Sequence, residues 1–309
     1  QRSEADDILN SMDEVVRISR KSGCPIHFSH FKVCGKKNAH LFDAVMEKLE
    51  SASKEIAVSF DQYPYTAGST TFSVILPPWV HDGGADKALA RLADPVARER
   101  MKRDIRDGIH GWDNFIDFAG MENISVTFVK TAKNADVVGK NMIEIGKLRG
   151  KDPLDAAFDI LLEEEMVVGL VDFYGYEEHV EKILAHPLQN PCTDGILGAH
   201  PHPRVYGSFP RILGHYVRER KILDLPTAIH KMTGRPASIF KMRNRGLLKE
   251  GYVADISIFD PETVIDTATY ENPKQFAKGI PYVIVCGRLV VDDGAVMKEK
   301  AGQVVRFEK

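Results

Sequence analysis

The sequence predicts an α/β fold of parallel β/α units followed by a β-rich tail. Three observations carry this. Strand, helix and strand succeed one another at parallel-unit spacing between residues 26 and 65. Strand and helix patterns alternate again between residues 124 and 195. Beyond about residue 247, short apolar runs are separated by Gly and Asp turns. Fewer than eight β/α repeats are present, so a closed (β/α)8, TIM-like barrel needs strands from outside this segment.

Ile8, Met12, Val15, Val16 and Ser19 recur at helical spacing, and Gly23-Cys24-Pro25 stops the pattern. Residues 26–33 read as a strand. Leu41, Phe42, Val45, Met46 and Leu49 mark one helix face, and residues 56–65 read as a second strand. From residue 66 to about 123 the rhythm changes. Leu76-Pro77-Pro78-Trp79, Gly83-Gly84 and a basic helix over 91–109 read as an insertion rather than another barrel repeat. Residues 124–131 and 167–173 then read as strands, and 142–148, 154–162 and 177–184 as helices. Cys192-Thr193-Asp194-Gly195 ends the last candidate barrel strand. Two helices follow over 211–220 and 225–231, then strands over 246–251, 254–259, 282–285 and 289–291.

Composition narrows the function classes. The 309 residues are 43% hydrophobic and 28% charged, enough for a large domain plus a smaller one. A net charge of −3 from interspersed acids and bases predicts no nucleic-acid groove and no membrane-binding face. Cys24, Cys34, Cys192 and Cys286 are scattered, so the expected compartment is a reducing cytoplasm. None lies beside a histidine in a hydrolase-like signature, and there is no Gly-x-Ser-x-Gly elbow or phosphate-binding Gly loop. Gln1 opens almost directly onto a helix pattern, which predicts a preceding segment of the same protein. Oligomeric state leaves no mark.

Several residues could carry chemistry. On a strand, His30 and Lys32 share a face opposite Ser29 and Phe31. At the C-terminal end of a barrel strand that face points into the mouth, where barrel enzymes keep their active sites. A neutral imidazole suits Zn²⁺, and an ammonium two residues on suits a substrate anion. The same tetrapeptide fits a core histidine beside a solvated lysine. Asp61, Tyr63 and Tyr65 also alternate onto one face, and Ser69 follows on a Gly turn. Their hydroxyls suit a carboxylate, although an aromatic strand end with a routine turn explains them as well. Asp194, at a strand end before Gly195, can approach a metal and take a proton from its water, or can simply make an Asp-Gly turn. His200 and His202 are read as structural, the prolines between them serving to place Arg204, whose planar guanidinium suits a carboxylate.

As a set these residues resemble the D-aminoacylases, the N-acyl-D-amino-acid deacylases of the amidohydrolase superfamily. The matching pieces are Arg2-Ser3-Glu4, Ser29-His30-Phe31-Lys32-Val33 with Gly35-Lys36, and the run from Asp61 to Thr70. Leu76-Pro77-Pro78-Trp79, Thr193-Asp194-Gly195, His200-Pro201-His202-Pro203-Arg204, Phe209-Pro210-Arg211, Met232-Thr233-Gly234 and Gly251-Tyr252-Val253-Ala254-Asp255 follow in family order. The resemblance implies the C-terminal part of a (β/α)8 amidohydrolase barrel over residues 1–246, an inserted lid over 66–123, and half of a small β-sandwich over 247–309. It implies that His30 and Asp194 are zinc ligands, with Asp194 also the catalytic acid/base. It places Lys32, Tyr63, Ser69 and Arg204 around an N-acyl-D-amino acid, the last three gripping its α-carboxylate. The preference for the D hand comes from the resemblance alone.

One or two Zn²⁺ ions are expected. The resemblance puts the remaining ligands, a histidine before Arg2-Ser3-Glu4, a His-x-His pair and a further residue, usually cysteine, upstream of Gln1. Phe31 stands where the family's second histidine would be, on the face turned from the mouth. Two other readings compete. One is a cyclic-amide hydrolase of dihydroorotase or hydantoinase type, against which Tyr63-Pro64-Tyr65 and the His200–Arg204 stretch argue. The other is an inactive amidohydrolase-like binding module, against which the joint retention of His30, Lys32, Asp194 and Arg204 argues.

Overall fold

A computed structural model describes residues 1–306, which form three small sheets. The strands are β1 (Ile26–Phe28), β2 (Val58–Gln62), β3 (Ala67–Thr71), β4 (Ile124–Val129), β5 (Val168–Phe173), β6 (Gln189–Pro191), β7 (Ile256–Ile258), β8 (Tyr282–Val285), β9 (Arg288–Asp292) and β10 (Ala295–Val296).

β1, β2 and β6 form a parallel sheet in the order β1-β2-β6. Phe28 lies opposite Phe60 in one pair, and Phe60 opposite Gln189 in the other. The helices Ile8–Ser22 and Phe42–Ser53 bury Ile8, Met12, Val16, Val45 and Leu49 in one cluster with Ile26, Phe28 and Phe60. Each such side chain contributes about 1.5–3 kcal/mol. The first helix ends because Gly23 turns left-handed at φ 72° and returns its N–H to the Ser19 carbonyl. Phe31 packs against Phe28 and Phe60, which explains how an apolar residue is accommodated there.

Strands β3, β5 and β4 make a second, wholly antiparallel sheet. Its core joins Phe72, Ile75, Leu92, Met101, Val126, Phe158, Leu161 and Leu170. This corrects the reading of residues 124–131 and 167–173 as further barrel strands. Alternating burial is common to both strand orientations, so periodicity could not separate them. The packing unit that begins with Ala67 runs on through Phe173, well past the expected break at residue 123.

Other boundaries shift for local reasons. The strand expected over 26–33 ends at Phe28, because His30 takes a left-handed φ of 42° and turns the chain. The strand expected over 56–65 ends at Gln62, before Pro64. The basic helix over 91–109 is two helices, Ala85–Ala93 and Pro95–Asp107, the second capped by the Asp94 side chain on Val96 N–H. The helix expected over 211–220 begins earlier, as Arg204–Arg211, and continues as a π-helical stretch, Ile212–Glu219. In the tail, β10-β9-β8-β7 form an antiparallel sheet, and residues 246–251 form no strand. Among the described residues, no helix is long and apolar enough to cross a membrane.

Candidate active site

Neighbouring parallel strands end on the same side of a sheet. The chain leaving β1 carries His30 and Lys32, the chain leaving β2 carries Tyr63, and the chain leaving β6 carries Asp194. His30 and Asp194 both hold positive φ, 42° and 45°, a region sparsely populated by residues other than glycine and enriched at functional sites.

Glu4 joins the first two of these. Its Oε2 accepts from Lys32 Nζ at 2.5 Å, and its Oε1 accepts from His30 Nδ1 at 3.0 Å. Lys32 Nζ also donates to the His30 carbonyl at 2.9 Å. His30 and Lys32 therefore come together, but through a turn and a shared carboxylate rather than by strand alternation. Lys32 is buried, not solvated. Burial alone would lower its pKa, but Glu4 outweighs this and holds the ammonium above its ordinary range. Burial likewise pushes Glu4 upward, and Lys32 and then His30 outweigh it, leaving the carboxyl below its usual value. Asp61 braces the same turn, accepting from His30 N–H at 2.6 Å and from His27 Nε2 at 2.8 Å.

Arg204 is the second centre. It is 1% exposed, and its Nη2 lies 2.9 Å from Asp194 Oδ2 and 3.0 Å from the Ser69 carbonyl. The guanidinium stacks over the Tyr63 ring at 4.4 Å, and the Tyr63 hydroxyl bonds that of Tyr174. Burial raises the Tyr63 phenol, so it remains a neutral hydrogen-bonding group. Arg204 Nε and Nη1 are buried with no hydrogen-bond partner among the described residues. Unpaired buried donors on a cation are costly, and an anion would satisfy them. His202 is buried and aligns this helix start, its Nδ1 accepting from Arg204 N–H at 2.9 Å and its Nε2 bonding the Ala67 carbonyl at 3.1 Å. Burial and then Arg204 hold its pKa well below the ordinary value, so it is a neutral structural histidine.

A cationic clamp next to an acid and an imidazole at parallel strand ends is a hydrolase-like arrangement. Residues 121–291 match the model of the amidohydrolase family. The chain belongs to the amidohydrolase family. Within it, the chain is 32% identical over 305 residues to a D-aminoacylase and 33% identical over 306 residues to an N-acyl-D-aspartate deacylase, both from Alcaligenes xylosoxydans xylosoxydans. Each match covers 98% of this chain, and 53% and 52% of the respective relative. A crystal structure of N-acyl-D-glutamate deacylase from Bordetella bronchiseptica, with zinc and a phosphonate inhibitor, superposes with a TM-score of 0.76 at 29% identity. That match covers 99% of this chain and 54% of the solved one. The chain thus spans about half the length of the relatives it matches.

This amidohydrolase chain fits zinc at one corner. With Nδ1 of His30 turned to Glu4, Nε2 is the ring nitrogen left to hold a metal, and a carboxylate behind a ligating imidazole is the usual support. Among the described residues, however, no group of three or more His, Cys, Asp or Glu comes together to hold a metal ion. A catalytic zinc takes three protein ligands, more than His30 and Asp194 supply.

All six residues singled out from the sequence lie in this region of the amidohydrolase fold. Tyr63, Ser69, Arg204 and Asp194 share direct contacts, while His30 and Lys32 meet on Glu4. Three participants lacked a readable sign. Glu4 sits in a quoted motif, but its partners lie 26 and 28 residues away. Asp172 and Tyr174 belong to β5 and its exit, which antiparallel pairing with β3 brings alongside Gly68.

Proposed function

We propose that the protein hydrolyses the amide bond of N-acyl-D-amino acids, giving a carboxylate and a free D-amino acid, with one or two zinc ions. The observation that carries this reading is Arg204: a buried guanidinium with two unpartnered nitrogens, ion-paired to Asp194 at a strand end. An enzyme acting on a linear N-acyl amino acid needs both an α-carboxylate clamp and an acid/base within one substrate length. Zinc, when bound, supplies Lewis-acid activation of water at neutral pH.

The chain's own residues do the rest. Arg204, Tyr63 and Ser69 bind the α-carboxylate and fix which face of the amide is presented. Once a substrate carboxylate draws on Arg204, Asp194 is released to take the proton of the attacking water. The same carboxyl then gives that proton to the departing nitrogen. Glu4 holds the His30 imidazole as a ligand and keeps Lys32 charged. The remaining metal donors are assigned to a preceding segment of the same protein, which would also complete the barrel. The antiparallel unit from Ala67 onward supports a lid with its own core, and the four-stranded tail sheet supports half of a β-sandwich.

The test is turnover by the intact, zinc-loaded protein of N-acetyl-D-amino acids, their L enantiomers, hydantoin and dihydroorotate, with zinc measured on the same sample. Release of free D-amino acid from the linear D substrates is expected. Preferential ring opening would favour the cyclic-amide alternative. Absence of both turnover and bound zinc would favour an inactive module.

A further inference from the structure

A cavity of about 370 Å³ opens beside Ser69, within the size range of small-molecule sites. Ser69 and Thr70 of β3, Phe128 of β4, Val168 of β5, and Ile196 and Leu197 on the chain leaving Asp194 line it. We propose that this cavity receives the side chain of the amino-acid product and selects neutral, apolar D-amino acids over acidic ones. The inference rests on the deacylase reading above.

Placement follows from connectivity. Ser69 belongs both to the cavity and to the clamp, where its carbonyl accepts from Arg204. The cavity therefore shares Ser69 with the clamp, and Ile196 and Leu197 carry its wall to within a few residues of Asp194. His30 and Lys32, at the other end of the cluster, are not part of its lining. A substrate α-carbon bears a carboxylate, an acylated nitrogen and a side chain. With the carboxylate on Arg204 and the amide turned toward Asp194 and His30, the side chain is the group that faces the opening beside Ser69.

Selectivity follows from the lining chemistry. It contains hydroxyl, aliphatic and aromatic groups, but no lysine or arginine. A side-chain carboxylate entering there would lose water and gain no cation. His200, the one titratable residue on the wall, uses Nε2–H to donate to the Tyr270 carbonyl at 2.7 Å. With Nε2 committed to that carbonyl, Nδ1 is the ring nitrogen left to the wall. A leucine, methionine or phenylalanine side chain meets no such penalty.

The experiment compares kcat/KM of the intact, zinc-loaded protein for N-acetyl-D-leucine and N-acetyl-D-methionine against N-acetyl-D-aspartate and N-acetyl-D-glutamate. The apolar pair is expected to be favoured by at least about tenfold. Leu197 is 79% exposed, so Leu197→Arg should fold normally while adding a cation to the wall. That variant is expected to shift the leucine-to-aspartate ratio toward aspartate by about tenfold or more. Wild-type preference for the acidic substrates would overturn the inference and leave the deacylase reading standing. An unchanged ratio in Leu197→Arg would overturn the placement of the side chain. Failure to hydrolyse any of the four would overturn both readings together.

Discussion

Arg204 and Asp194 form an ion pair, Nη2 to Oδ2 at 2.9 Å, in which the guanidinium is buried and the carboxylate is exposed. The same arginine also touches Ser69 and lies over Tyr63. On the proposed reading, the carboxylate clamp and the acid/base are thus coupled before any substrate arrives. A substrate carboxylate on Arg204 would then change the partner of that arginine and, through it, the freedom of Asp194.

Arg204→Lys keeps the charge but loses Nε and Nη1, the two planar nitrogens left without partners for a carboxylate. KM for an N-acyl-D-amino acid should rise by roughly 10–100-fold, corresponding to one or two lost charge-assisted hydrogen bonds. The turnover number should fall less. Steady-state kinetics separates the two, and an unchanged KM would remove Arg204 from carboxylate binding.

Asp194→Asn preserves shape and can still accept from Arg204, but it cannot shuttle a proton. Turnover should drop by about 10²–10⁴-fold. Because the side chain is exposed, the melting temperature should stay close to that of the parent. Near-normal turnover in a folded variant would rule out the proposed role.

Glu4→Gln removes the carboxylate shared by His30 and Lys32. Zinc affinity should weaken by about 10–100-fold, the usual effect of losing an outer-shell partner. Stability should also fall, by about 3 kcal/mol, because Lys32 is left buried without its counter-charge. Glu4 has a folded-state pKa below its ordinary value of 4.5, so the wild-type advantage is present above that pH. It is lost as pH falls through the folded value. Denaturation of both forms across the acid range, alongside zinc titration at neutral pH, measures the two effects.

Asp172 behaves in the opposite sense. It is 2% exposed, and burial pushes its carboxyl up to about 7 despite Lys32 and Arg204 nearby. The folded state therefore prefers the protonated form, and stability falls as pH rises from near 4 through about 7. Asp172→Asn, which is neutral at every pH, should be more stable than the parent at pH 8 by roughly a few kcal/mol. The difference should vanish near pH 4. Parallel melting curves at the two pH values test this, and a pH-independent difference would contradict it.

Residue patterning marked many of the local elements and the chemistry available at their ends, although β3 went unread and no strand forms over 246–251. Apolar spacing marked the helices Ile8–Ser22 and Phe42–Ser53, and β-branched or aromatic runs marked β1, β2 and β5. Motifs in family order pointed to His30, Lys32, Tyr63, Ser69, Asp194 and Arg204 through their resemblance to the D-aminoacylases, whereas residue type alone left most of them a structural alternative. Which of these meet, and through what, depends on the folded chain. The antiparallel direction of β3, β4 and β5 is a matter of long-range pairing, which leaves no periodic trace along one strand. Glu4 reaches His30 and Lys32 across a helix and a strand, while Asp194 reaches Arg204 around a loop. The strengths of those interactions, and the pKa values they shift, depend on burial and on distances of a few ångströms. Neither is written in the spacing of residues along the chain.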